Sequence, residues 1–148
     1  MNIRLATIED AAVLTAMGRE FLEYSEYRNL AVTDEEITHG IAGVIANGMS
    51  FVAEQDGSIS GFILGIIGPL WFVPRVRIAV ELAWWVAPSH RNTTAGVRLL
   101  KAFEAHATNM GVQYIAMSDL VVAGDTPVAR LLGRMGYIVT ERMHTKEI

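Results

Sequence analysis

The sequence contains no cysteine. Disulfides, cysteine-ligated zinc and thiol catalysis are therefore excluded. No uninterrupted apolar run approaches about 18 residues, so no membrane span is expected. The first ten residues, MNIRLATIED, lack the apolar stretch of a signal peptide, and a cytoplasmic protein is the expectation. Positive charge is scarce: 12 Lys and Arg stand against 16 Asp and Glu, a net charge of −4. That balance argues against a general nucleic-acid binder. The four histidines, His39, His90, His106 and His144, show no HExxH or similar pairing, so no metal site is expected. Neither G-x-G-x-x-G nor G-x-x-x-x-G-K-[ST] occurs, which excludes the dinucleotide and P-loop fingerprints.

What remains is a chain of 148 residues, 51% of them apolar. That suits one domain, residues 1–148, with a real core. Asn2–Leu5 alternates as a short strand, and Thr7-x-x-Asp10 is a capping-box start. Ile8, Ala11, Ala12, Leu14, Met17, Phe21 and Leu22 then share one helical stripe. A second capping box, Thr33-x-x-Glu36, opens a helix with Ile37, Ile41, Val44 and Ile45 inward, weakened by Gly40, Gly43 and Gly48.

Residues 50–55 and 58–67 read as strands joined at Asp56-Gly57, a hairpin turn. Residues 68–77 hold two prolines and read as a loop bearing Trp71 and Phe72. Residues 78–86 form the next strand. A helix follows from Thr94–Ala95 with Leu99, Leu100, Phe103, Ala107 and Met110 on one face, ending at Gly111. Residues 112–117 read as a buried strand. Thr126 caps a last helix with Pro127 in its first position, Gly136 ends it, and residues 137–143 read as a closing strand. The order is β-α-α-β-β-β-α-β-α-β. Early hairpins and a late βαβ crossover give an α/β fold: a mixed, mostly antiparallel sheet with helices on both faces.

The stretch 84–100, WWVAPSHRNTTAGVRLL, runs from strand through a polar turn into a helix. A helix N-terminus offers unpaired N–H groups and a favourable dipole for an anion. Thr93, Thr94, Ala95 and Gly96 are small enough for close approach, and Arg91 adds a permanent cation. Residues 91–97 (Arg91, Asn92, Thr93, Thr94, Ala95, Gly96, Val97) thus read as a pyrophosphate cradle. The bland alternative is an ordinary strand–turn–helix.

Val86-x-Pro88 followed by Arg91-x-x-Thr94-x-Gly96 resembles the signature of the GNAT superfamily of acyl-CoA-dependent N-acyltransferases. Thr94 stands where that family usually has Gly. The opening strand with Thr7-x-x-Asp10, the element order, and the closing Arg134-x-Gly136-Tyr137 resemble the same family, so the likeness spans essentially the whole chain. It implies a GNAT fold and acetyl transfer from acetyl-CoA, as co-substrate, to a primary amine of a small molecule or peptide.

The resemblance assigns roles residue by residue. Family members often carry a Glu near the start of the strand before the cradle, and Glu81 matches it as general base. It also stands out by itself, as a charge in the apolar run AVELAWWV; burial would raise its pKa and suit it to the task. The rival reading is an edge Glu paired with Arg75 or Arg77. The backbone of Trp84, Trp85 and Val86 would contact the pantetheine arm, with the two indoles on opposite faces.

Many members carry Asn early in the last helix and, seven residues on, a Tyr that protonates the CoA thiolate. Asp125 and Leu132 hold those positions, and leucine cannot donate a proton. Ser118 and Tyr137 are stand-ins for it. Glu20–Glu36 holds six acids against Arg28 alone. In GNAT proteins this segment borders the acceptor, so Glu23, Glu26, Tyr24 and Tyr27 would favour a cationic amine; the alternative is a solvated face. Rival functions are an acyl-CoA-binding module without catalysis, and a protein-interaction domain or homodimer using Trp71 and Phe72.

Overall fold

The structure, a computed structural model, describes residues 1–120 and 126–148. It forms two compact units, Met1–Ser118 and Asp119–Ile148. The first holds five strands, β1 (Asn2–Leu5), β2 (Met49–Gln55), β3 (Ser58–Leu70), β4 (Val73–Val86) and β5 (Tyr114–Ala116), in the spatial order β1-β2-β3-β4-β5. Neighbours pair antiparallel except β4 and β5, which are parallel. A parallel pair needs a crossover, and α3 (Ala95–Asn109) supplies it.

Strand periodicity divides the apolar residues between two faces. Phe51, Ala53, Ile63 and Ala79 meet Leu99, Phe103 and Ala107 of α3 on one side. Val52, Phe62, Leu64 and Trp85 meet Leu14 and Met17 of α1 (Ala11–Glu23) and Ile41 of α2 (Asp34–Ala46) on the other. Helices on both faces are thus observed. Ile8 and Met110 are exposed, at 58% and 45%, because each sits at the end of its stripe, beyond the packed turns.

Local chemistry sets the helix ends where the sequence placed them. The Thr7 amide donates to Asp10 Oδ2 at 2.8 Å, and Arg4 grips the same carboxylate with bonds of 2.8 and 2.9 Å. A single 3₁₀ turn, Ile8–Asp10, precedes α1. Thr33 and Glu36 exchange both capping-box bonds. Asp56 and Gly57 both take positive φ, 52° and 76°, as a tight two-residue hairpin turn demands. In the second unit Thr126 caps α4 (Pro127–Arg134), and the Tyr137 amide closes it on the Leu132 carbonyl past Gly136 at φ 91°.

Three expectations fail. Residues 68–77 are not a loop: β3 runs to Leu70, β4 starts at Val73, and Trp71–Phe72 alone turn the hairpin, exposed and edge-to-face at 5.0 Å. Pro69 and Pro74 fit because β2 ends its pairing at Gly65 and β5 starts at Ile78, leaving outer strand edges that need no proline N–H. The strand expected over 112–117 shrinks to Tyr114–Ala116. The strand expected over 137–143 does not form: Ile138, Val139 and Met143 are 82%, 94% and 88% exposed. Residues of high strand propensity make a strand only when a ladder partner faces them.

Gly65 admits α3 to the sheet. A Cβ there would lie 2.6 Å from the Phe103 ring and 2.8 Å from the Val80 carbonyl. Gly65→Ala should destabilise the protein by about 1–3 kcal/mol, the cost of overpacking a filled core, measurable by urea denaturation. Asp10 provides an acid-side test. The Arg4 hydrogen bonds hold its carboxyl below the usual aspartate range. Its contribution is therefore present at neutral pH and lost as pH falls through the depressed value. Asp10→Asn should lower neutral-pH stability and flatten the acid limb of a denaturation-midpoint profile.

Candidate functional site

The site begins with an irregularity in β4. Leu64 pairs with Ala83 but Gly65 pairs with Glu81, so Leu82 is an extra residue. A bulge re-aims the side chains that follow it. Without it Ala79, Ala83 and Trp85 would share a face. Instead Ala79 packs on the α3 side while Ala83 and Trp85 pack on the α1–α2 side. Trp84 and Val86 go to the α3 side, so the two indoles do face opposite ways.

Glu81 sits immediately before this switch and is 7% exposed. Its Oε2 accepts from the Ser118 hydroxyl at 2.8 Å and from the Ser118 amide at 3.1 Å. Burial pushes its carboxyl above the ordinary glutamate range, and the two Ser118 bonds oppose that shift. Neither arginine suggested as an ion-pair partner holds it: Arg77 donates to the Met110 carbonyl, and Arg75 is exposed.

From Glu81 onward the two parallel strands part. Their pairing covers only Ile78–Val80 with Tyr114–Ala116, whereas β4 continues to Val86. The split leads to the turn before α3. There the Thr93 hydroxyl donates to the His90 carbonyl and accepts from the Ala95 amide. Among the described residues no acceptor meets the amides of Gly96 and Val97, and the Thr94 hydroxyl caps nothing. Thr94 lies at φ −82°, a conformation open to any L residue, so threonine replaces the family's glycine without backbone strain. Asn92 is exposed in the same turn. This main-chain geometry fits a diphosphate. The buried indole N–H of Trp84, beside Gly96, also has no partner.

Arg91 is placed differently from the sequence expectation. Its Nε donates to the Val86 carbonyl at 3.1 Å. Its guanidinium lies over the Trp85 and Tyr24 rings, 4.4 and 5.2 Å from their centroids. Trp85 is fixed further by Phe21, edge-to-face at 6.1 Å, and by an indole N–H bond to Glu20 at 3.3 Å. Glu20, Glu23, Tyr24, Trp85 and Pro88 line a cleft of about 380 Å³.

Glu26 and Tyr27 are exposed in the turn after α1 and do not line that cleft. Asp125 lies outside the described residues. Leu132 is a buried apolar residue of the second unit. Sequence reasoning counted Glu20 in the acidic segment without singling it out, and missed Pro88 in the cleft and the Ser118 contact with Glu81. Glu20 had a signal, since it lies one helical turn before Glu23 and Tyr24. Ser118 had none, because its partner is 37 residues away. Among the described residues no cluster of His, Cys, Asp or Glu is arranged to hold a metal, and no helix is long and apolar enough to cross a membrane.

Glu81 carries a pH signature in stability. A carboxyl with a raised folded-state pKa favours the fold fully below its unfolded value and loses that contribution as pH rises through the folded one. The wild type should therefore lose stability from mildly acidic towards neutral pH. Glu81→Gln keeps the shape, cannot ionise, and should lack that decline in urea midpoints measured across the range.

The same architecture recurs among solved structures. A ribosomal-protein-alanine N-acetyltransferase from Brucella melitensis biovar Abortus superposes with TM-score 0.74 at 14% identity, over 100% of both chains. A predicted acetyltransferase solved with acetyl-CoA, from Clostridium acetobutylicum, gives 0.71 at 17%, over 99% of this chain and 95% of that one. An aminoglycoside N-acetyltransferase in complex with CoA gives 0.75 at 17%, over 99% and 93%. At such identities the likeness establishes the fold. No curated protein sequence matches the chain. The sequence model of the acetyltransferase (GNAT) family does match it, over residues 14–137. With strands β2 to β5 and the β4-turn-α3 unit lying inside that span, the chain belongs to the GNAT acetyltransferase family.

Proposed function

We propose that the protein transfers an acetyl group from acetyl-CoA to a primary amine by direct attack, with Glu81 as general base. The carrying observation is a buried carboxylate at the point where β4 and β5 part, on the strand leading to the open α3 amides. In this reading the Gly96 and Val97 amides, with residues 91–95 around them, bind the diphosphate. The β4 backbone of Trp84–Val86, held by β3 on one edge and unpaired with β5 on the other beyond the split, hydrogen-bonds the pantetheine arm in this reading.

The chemistry then follows from proton accounting. An alkylammonium, with pKa near ~10.4, cannot attack until it loses a proton, and Glu81 accepts it. The amine nitrogen bonds to the thioester carbon, the C–S bond breaks, and the nitrogen releases its second proton to solvent as the amide forms. Leucine at 132 offers no proton to the departing sulfur. A thiol pKa of about 8.5 lets it leave as thiolate and take a proton from water. Leu132 is also what favours the second reading, an acyl-CoA-binding module that does not turn over. A thiol-release assay across amines separates the two. Glu81→Gln should cut kcat by roughly 10²–10⁴ while CoA affinity, measured by calorimetry, changes little. Near-normal turnover in that variant would rule the role out.

The acceptor we infer is a cationic amine of a small molecule or peptide. The cleft of Glu20, Glu23, Tyr24 and Trp85 supports it, joining carboxylates to aromatic faces. Glu26 and Tyr27 act at its approach. Changing Glu20 and Glu23 together to Gln should raise KM for spermidine and flatten its salt dependence, with CoA binding unmoved. An unaltered KM and salt profile would reduce the acids to a solvated face.

A further inference from the structure

We infer that Ser118 is the positioning residue of Glu81, pinning Oε2 with its hydroxyl and amide so that Oε1 receives the proton of the attacking amine. The inference rests on Glu81 acting as the base. Ser118 follows β5 by two residues, and β5 is held in register by Val80 opposite Ala116. The serine is thereby delivered alongside Glu81, at the mouth of the split. Both of its donors go to the same oxygen, at 2.8 and 3.1 Å. Oε1 accepts from no described residue and is not sealed from solvent. A carboxylate held this way has lost its freedom to rotate, and its two oxygens have different work. One is saturated with donors and one is free to take a proton.

The same contact sets how readily Glu81 ionises. Burial alone favours the protonated form, which is useless as a base. Donors directed at the charged form favour the carboxylate. Among the described residues no ionic partner shares in this balance. On β4, Arg77 is turned to the Met110 carbonyl and Arg75 is exposed. On α3, neither the cations Arg98 and Lys101 nor Glu104 and His106 contribute, and β3 carries no titratable side chain. Among the described residues the serine is thus the polar group that counteracts burial. In catalysis one proton leaves the ammonium nitrogen for Oε1, the C–N bond forms and the C–S bond breaks, the nitrogen gives its second proton to solvent, the thiolate takes one from solvent, and Glu81 returns its proton to solvent.

The test uses Ser118→Ala and Ser118→Thr in the full chain. Alanine removes the hydroxyl donor and keeps the amide, so the fold is retained while the carboxylate loses support. Two readouts are needed. The first requires no acceptor: carbon-13 NMR titration of the Glu81 side chain, assigned by its absence in Glu81→Gln. The second is the pH profile of kcat/KM with the best amine from the panel. In Ser118→Ala both the titration and the acidic limb should move to higher pH by on the order of one unit, the scale of one charge-assisted hydrogen bond. Activity lost at neutral pH should recover at alkaline pH, and Ser118→Thr should restore both readouts. An unmoved titration and limb in Ser118→Ala would overturn the inference. If instead the NMR shift appears but Glu81→Gln keeps full turnover, the Glu81–Ser118 coupling stands and the general-base reading falls.

Discussion

The extra residue at Leu82 is the constraint on which the rest of this site depends. A regular β4 would put every second residue from Ala79 to Trp85 on one face. Trp85 would then be buried against α3, and Trp84 would face α1 and α2. The bulge reverses both assignments. It gives the α1–α2 side an indole to stack with Phe21, Tyr24 and Arg91. It gives the α3 side an indole beside Gly96. It also interrupts the strand just where β5 stops pairing, so a charged residue at 81 can be buried without breaking a core ladder.

That arrangement explains why a buried carboxylate is tolerable here. Removing a charge from water is costly unless donors replace the lost solvation. Glu81 has two such donors, both from one residue, and one oxygen still reached by solvent. The compensation is partial, which is why burial still leads the shift in its pKa. A fully satisfied carboxylate would be a poor proton acceptor, and an unsupported one would stay protonated.

Much of this was legible in the sequence, and the division follows interaction range. Thr7 with Asp10, Thr33 with Glu36, Asp56-Gly57, and Thr126-Pro127 involve neighbours within four residues, and their chemistry specifies the structure directly. The buried stripe Leu99–Leu100–Phe103–Ala107 was equally plain. The β4 bulge was not, because it exists only in the register between two strands. Nor was the 69–74 hairpin, where two prolines read as breakers; only the absence of outer strand partners makes them acceptable. The apolar run Tyr137–Ile138–Val139 misled in the opposite direction: residues suited to a strand pair with no described strand. Among site residues, Glu81 was recognisable as a charge in an apolar run, whereas its contact with Ser118, which follows α3 and β5 in the chain, was not.

The position of Arg91 alters how the turn before α3 should be understood. Read from sequence, a cation and small residues together implied a side chain aimed at phosphate. The guanidinium instead lies on Trp85 and Tyr24, anchored to the Val86 carbonyl. If the turn binds the diphosphate as proposed, its main-chain amides and the helix dipole carry most of the attraction. This also accounts for the tolerance of Thr94. A backbone cradle asks only that φ and ψ be attainable and that no side chain block the amides, and at φ −82° threonine meets the first condition. Arg91 then has a different physical task. It ties the start of the turn to the aromatic wall of the α1-side cleft, so that the two halves of the site are held by one side chain.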